Sequence, residues 1–232
     1  QKNKMFLTEA TLNKAELNKI IHNINLKSPQ SEKVTIIAVT KTFAYSAIQE
    51  AYDNKVYNIG ENKIQELESK IKDRTLPKKL KIHFIGKLQS NKAKKAVLLC
   101  DYIQTVDSVK LANKINNYAK SLSKKQKIYI QINIGSDNKK QGIVGENKEI
   151  YAKIALLENI EVVGIMTILP KVDNQKTKDL YVAMKKLQKK IKKKYFNKCE
   201  EISMGMSGDY PLALESGATN IRIGTKLYGK RK

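Results

Sequence analysis

The sequence predicts an α/β fold: a single (β/α)8, TIM-type barrel with an extra N-terminal helix. Three observations predict it. Short apolar runs alternate regularly with amphipathic stretches, which implies parallel strands joined by helical crossovers. Eight such runs can be counted, the number that closes a barrel. The 232 residues, 41% of them hydrophobic, supply one core of that size, at the compact end of the barrel range. An open doubly wound sheet is the competing arrangement. No GxGxxG follows the first strand, so a dinucleotide-binding reading has no support. The expected division is 1–30 for the N-terminal helix and 34–228 for the barrel, in one domain spanning 1–232.

The chain justifies these elements in order. Over residues 5–26, Leu12, Leu17, Ile20, Ile21 and Ile24 recur at helical spacing, and Thr8 to Thr11 offer a start. Pro29 and Ser31 mark a loop. Residues 34–40 then form a run, Val-Thr-Ile-Ile-Ala-Val-Thr, that suits a strand buried on both faces. A helix at 44–54 carries Ala47, Ile48 and Ala51 on one face, and a short strand follows at 56–60. Next come a helix at 62–72 around Ile64, Leu67 and Ile71, a turn at Leu76-Pro77, and a strand at 81–86. A short helix at 90–99 precedes a strand at 102–106, and a helix at 108–122 precedes the strongest strand signal, 128–134. The remainder reads as helix 146–158, strand 160–168, long helix 174–195, a strand ending at 202–204, short helix 209–216 and an eighth strand at 220–224. Every strand except the last has a following helix.

Composition narrows the function. Net charge is +23, from 45 Lys+Arg against 22 Asp+Glu. Such a surplus raises nucleic-acid binding as a class. Only Arg74, Arg222 and Arg231 are arginines, however, and readers of base edges and phosphates favour arginine. The lysines are spread along nearly every helix, as a solvated surface would have them. The densest group, Lys185-Lys186, Lys189-Lys190 and Lys192-Lys193-Lys194, is the best basic stripe. Cys100 and Cys199 form neither a disulfide framework nor a metal-ligand cluster. No run of 18 apolar residues exists, and Gln1 to Met5 lack the apolar core of a signal peptide, so a cytoplasmic protein is expected.

In a barrel the active rim is built by the loops that follow the strands. Lys41 stands one residue beyond the first strand, where desolvation would leave a neutral amine able to form a Schiff base. The plain alternative is a solvated lysine ending a strand. After the seventh and eighth strands come Ser207-Gly208 and Gly224-Thr225, each a glycine beside a hydroxyl. Barrels often bind phosphate at these two loops, and glycine lets backbone approach an anion. The plain alternative is ordinary turn chemistry, with Ser207 capping the helix behind it. A rim lysine facing a phosphate cradle, with Arg222 between, points to pyridoxal 5'-phosphate.

Five ordered motifs then carry a family resemblance over about residues 5 to 230. They are Ala38-Val39-Thr40-Lys41-Thr42, Gly60-Glu61-Asn62, His83 to Lys92, Ser203-Met204-Gly205-Met206-Ser207 and Arg222-Ile223-Gly224-Thr225. On these the chain resembles the YggS/PROSC family, the pyridoxal phosphate homeostasis proteins. The resemblance implies a barrel similar to the N-terminal domain of alanine racemase. It implies that Lys41 carries the cofactor as a Schiff base, that Ser207, Gly208 and the Gly224-Thr225 backbone hold its phosphate, and that Arg222 faces the pyridine nitrogen. It places Asn62 near the ring and Met166 on the pocket floor, with His83 as a further candidate or simply a hydrogen-bonding residue inside the barrel. Two departures are visible: Thr42-Phe43-Ala44 follows the lysine where the family usually has a proline, and Lys87 stands where a proline is frequent.

Three functions follow. The leading one is a carrier that buffers pyridoxal phosphate and delivers it to apo enzymes that use it. It would be a monomer, with no specific nucleic acid, metal or membrane partner and no catalysis. The second is an amino-acid racemase of the alanine racemase type, which would need a second base. No second domain is expected to supply one, and Tyr45, Tyr210 and Tyr228 are not obviously placed to do so. The third is a polyanion binder using the stripe at 185–194.

Overall fold

The computed structural model describes residues 7–137 and 139–230. Its elements are α1 (Lys14–Lys27), β1 (Thr35–Val39), α2 (Tyr45–Asp53), β2 (Asn58–Glu61), α3 (Ile64–Ile71), β3 (Lys81–Phe84), α4 (Ala93–Leu99), β4 (Tyr102–Val106), α5 (Val109–Ser121) and β5 (Gln126–Asn133). They continue with β6 (Ile143–Val144), α6 (Lys148–Ala155), β7 (Ile160–Met166), α7 (Asn174–Lys194), β8 (Glu201–Met206), α8 (Tyr210–Glu215), β9 (Asn220–Ile223) and α9 (Thr225–Tyr228).

Eight strands pair in parallel in the order β4-β3-β2-β1-β9-β8-β7-β5, and β4 pairs with β5 to close the ring. The predicted (β/α)8 barrel is therefore the observed fold. Two short elements escaped the sequence reading. The two-residue β6 extends β5 on its far side, Ile132 to Ile143. A four-residue helix, α9, follows the last strand, where none was expected.

The N-terminal helix is shorter than predicted at its start. Met5 and Phe6 lie outside the described residues. Residues 8–12 are not helical because their backbone is committed elsewhere. Thr8 O accepts from Ala44 N (2.8 Å), Ala10 N donates to Ser46 Oγ (3.1 Å), and Leu12 N donates to Glu50 Oε2 (3.1 Å). The helix begins at its true cap, Asn13, whose side chain accepts from Glu16 N.

The strands have two unlike faces. Outward residues such as Ala38, Ile59, Ile82, Ile103, Ile130, Ile202 and Ile221 are buried in one apolar core against the helices. The interior of the barrel is largely polar. Its small apolar cluster is Tyr129, Val163 and Met166, with Tyr102 and Ile168 beside it. Between these sit His83, Gln104, Ser203 and Arg222, all buried. Among the described residues no helix is long and apolar enough to cross a membrane.

Candidate functional site

Lys41 is held by its neighbours. On one side, Thr40 Oγ1 donates to Glu61 Oε1 (2.6 Å), and Thr40 O accepts from Lys70 Nζ (2.9 Å). On the other, Thr42 N donates to Glu66 Oε1 (2.5 Å), in a left-handed backbone at φ 71°. Lys70 Nζ closes this clamp with 2.8 Å to Glu61 Oε1 and 2.7 Å to Glu66 Oε1, all three side chains being buried. A left-handed conformation at a β-branched residue is unfavourable and persists only where surroundings enforce it. Here the enforcing group is Glu66. Burial raises the Glu61 carboxyl above its ordinary value, opposed by Lys70 and the Thr40 hydroxyl. Sequence reading took Lys41 from this site and passed over Glu66 and Lys70. Their one signal was the i,i+4 Glu–Lys spacing on a helix whose apolar residues are Ile64, Leu67 and Ile71.

A cleft of about 320 Å³ opens at the C-terminal rim, lined by Lys41, Ser207, Gly208, Arg222, Gly224 and Thr225 with Val39, Ile85, Ile168 and Met206 as apolar walls. Six of the nine expected site residues thus meet in one place. The volume lies at the lower end of small-ligand pockets, roughly 300–1,000 Å³.

The two loops on the far side of the cleft are tied together. Ser207 Oγ accepts from Gly224 N (3.3 Å) and Lys226 N (3.4 Å), so Ser207 supports α9 and not the helix directly behind it. That behind-helix, α8, has Asp209 at its N-cap position without a side-chain capping bond. Asp209 Oδ1 accepts from Met206 N (2.7 Å), and its Oδ2 accepts from Tyr181 Oη (2.8 Å). Gly205, at φ +92°, makes the turn possible: a Cβ there would sit 2.6 Å from Ala213 Cβ. Among the described residues, the backbone N–H groups of Ser207, Gly208 and Thr225 donate to no protein acceptor. These are the donors an anion needs.

Arg222 is 3% exposed and has no ion pair among the described residues. Its Nη1 donates to Ser203 Oγ and its Nη2 to Thr167 O, each at 2.8 Å. Burial pushes its pKa down, against Tyr181, Asp209 and Tyr129, yet a guanidinium remains charged at any working pH. A buried, unpaired cation on the floor of the cleft favours an anionic or electron-rich ligand above it.

A chain of hydrogen bonds fixes that guanidinium. Ser203 Oγ donates to Gln104 Oε1 (2.6 Å), Gln104 Nε2 donates to His83 Nδ1 (2.9 Å), and His83 Nε2 donates to Asn58 Oδ1 (2.9 Å). The directions satisfy every atom only while His83 is neutral. Its ring also stacks on Tyr102 with centroids 4.3 Å apart. Ser203→Ala would orphan Arg222 Nη1 and Gln104 Oε1, and we expect it to cost about 1–3 kcal/mol in denaturant unfolding. An unchanged midpoint would mean that the chain carries no such stability.

The other three expected residues do not line this cleft. His83, expected either as a further candidate or as a hydrogen-bonding residue inside the barrel, does the latter: it bonds Asn58 and Gln104 and lines a cleft at the N-terminal end, away from Lys41. It is the third of the four residues of β3, pointed inward by the strand alternation, and its ring is held by Asn58 and Gln104 inside the barrel. Met166 is wholly buried in the interior cluster, below the rim and not on its surface. Asn62 lines a neighbouring cleft with Gln65, Lys87 and Gln89, and its Oδ1 is buried without a partner. Gly86 packs tightly on its backbone: a Cβ there would come within 2.2 Å of Asn62 O.

Burial lowers the His83 pKa from 6.5 to about 3. The folded value lies below the unfolded one, so its contribution to stability is full above about 6.5 and is lost as pH falls towards 3. We expect unfolding free energy to decline by up to a few kcal/mol across that window, and His83→Gln to flatten the decline. Equal slopes for the two proteins would contradict this.

The family model for the N-terminal domain of alanine racemase matches residues 15–232. The pyridoxal phosphate homeostasis protein of Synechocystis is 39% identical over 203 residues, covering 85% of this chain and 92% of that one. Among solved structures, PipY of Synechococcus elongatus superposes with a TM-score of 0.84 at 33% identity in its form without PLP, covering 93% of this chain and 99% of that one. Its form with PLP bound gives a TM-score of 0.79 at 32% identity, with the same coverage.

Proposed function

The chain belongs to the family of pyridoxal phosphate homeostasis proteins, and from that premise we propose that it binds pyridoxal 5'-phosphate at the rim cleft as a reversible carrier. The observation that carries the reading is the convergence of Lys41, Arg222, Ser207 and Gly224-Thr225 on one cleft. When bound, the cofactor supplies an aldehyde that a lysine amine captures and a pyridine ring that can accept electrons.

The protein's own groups have distinct parts. Lys41 presents the amine for a Schiff base, held in place by the clamp on Thr40 and Thr42. The N–H groups of Ser207, Gly208 and Thr225 receive the phosphate. Arg222, already committed to Ser203 and Thr167, meets the ring nitrogen with its remaining donors and keeps that nitrogen unprotonated. A ring so held is a poorer electron sink, which disfavours carbanion chemistry. His83 is not part of this set, and Met166 and Asn62 act from beneath and beside it. The described part of the chain works as one cofactor-binding domain.

The same cleft argues against a racemase. Racemisation needs two bases on opposite faces of the substrate carbon. Among the described residues lining the cleft, Lys41 is the only group able to accept a proton, since Arg222 stays charged. No tyrosine, histidine or carboxylate is there. The noncatalytic role is therefore part of the proposal.

Two assays on the purified protein test this. Loaded protein mixed with an apo enzyme that requires pyridoxal phosphate should restore that enzyme's activity as the visible imine band decays. Incubation with L-alanine should leave optical rotation unchanged. Sustained racemisation abolished by Lys41→Ala would replace the carrier reading with the enzyme one.

A further inference from the structure

A second cleft lies at the opposite, N-terminal mouth of the barrel, with a volume of about 540 Å³. Its floor is neutral and polar: Asn58, Asn220 and His83, the last held uncharged by burial. Its wall is cationic. Lys185, Lys189 and Lys192 come from one face of α7, and Lys33 enters from the loop before β1.

The carboxylates nearby do not balance this wall. Glu200 pairs with Lys192 at 2.5 Å, and Glu201 accepts from the Tyr129 hydroxyl, a neutral group that does not offset its charge, so four lysines stand against two carboxylates in the cleft lining. Among the described residues, Lys33, Lys185 and Lys189 pair with no carboxylate. Lys185 is half-buried and crowded: burial lowers its pKa, and Lys189 and Lys33 lower it further. Elsewhere the lysines are spread over a convex, solvated surface, with Lys193 and Lys194 exposed at the end of the same helix. Here three like charges converge on a concave site, where the field is focused and a bound anion relieves their repulsion. Lysines recognise phosphate and carboxylate as point charges. The enclosed size suits a small molecule and not a polymer.

We propose that the N-terminal mouth is a binding site for a small polyanion carrying two or more phosphate or carboxylate charges, held by Lys33, Lys185 and Lys189 over the Asn58–His83 floor. The site stands apart from the rim cleft and does not depend on how that cleft is used.

The test is a titration of the full chain with pyrophosphate and, separately, citrate, read by the ring NMR signals of His83. The only other histidine, His22, is exposed on α1 and serves as the internal control. At about 0.15 M salt, where surface attraction is screened beyond roughly 8 Å, a saturable shift of His83 is expected. Lys185→Gln/Lys189→Gln should weaken it roughly tenfold, and Lys193→Gln/Lys194→Gln should leave it in place. The tighter of the two probes identifies phosphate or carboxylate as the charged group. Absence of a saturable shift, retention of binding in the first variant, or equal weakening in both variants would overturn the proposal.

Discussion

Lys41→Ala should abolish the visible imine band completely while leaving the protein folded. The amine is the one group in the rim cleft that can bond the aldehyde carbon, so no partial effect is expected. Residual phosphate affinity from the Ser207 and Gly224-Thr225 loops would survive as weak, colourless binding. Lys41 is half-buried at a strand end and outside the core. Its truncation should therefore cost about 1 kcal/mol, well short of unfolding the chain. Absorbance titration and thermal unfolding of the same sample separate the two effects. A variant that keeps the band would move the covalent site to another lysine.

The second large effect concerns stability. Lys70→Met should destabilise the fold by about 3–5 kcal/mol, because Glu61 and Glu66 would be left as buried carboxylates without their cation. For a chain of this length that corresponds to a fall in melting temperature of roughly 10 °C. The loss should also loosen Thr40 and Thr42, and cofactor binding by the folded fraction should weaken. Adding Glu61→Gln and Glu66→Gln to Lys70→Met should recover part of the stability, since neutral amides cost less to bury. Binding should recover less than stability, because an amide oxygen accepts from Thr42 N more weakly than a carboxylate does. If Lys70→Met melts with the wild type, the clamp is not structural.

The barrel was legible because its outward strand faces are uniformly apolar. Runs such as Ile36-Ile37-Ala38-Val39 and Ile128 to Ile134 announce themselves without reference to partners. Strand 102–106 was bounded correctly, since Asp101 and Asp107 flank it with polar residues. The start of α1 was misread because Thr8 to Leu12 carry helical spacing, while their hydrogen bonds to Ser46 and Glu50 are tertiary. The rim residues that follow strands were legible by position: Lys41, Ser207, Gly208, Gly224 and Thr225 meet in space, with Arg222 of β9 beneath them. For His83 two roles stayed open, because a residue within a strand can face either mouth; its bonds to Asn58 and Gln104 lie inside the barrel. The supporting groups were not legible. Gln104, Glu66 and Lys70 matter through contacts 21 to 99 residues away in sequence or through a loop they clamp, and the one local trace, the i,i+4 spacing of Glu66 and Lys70, reads equally as an ordinary helix-surface pair.

The most direct measurement is peptide mapping by mass spectrometry after borohydride reduction of protein loaded with substoichiometric pyridoxal phosphate. The chain carries lysines on almost every helix, so chance labelling would scatter. The cleft geometry predicts a single dominant adduct, on the peptide containing Lys41. A dominant adduct on any other lysine, or a scatter with Lys41 unlabelled, would contradict it.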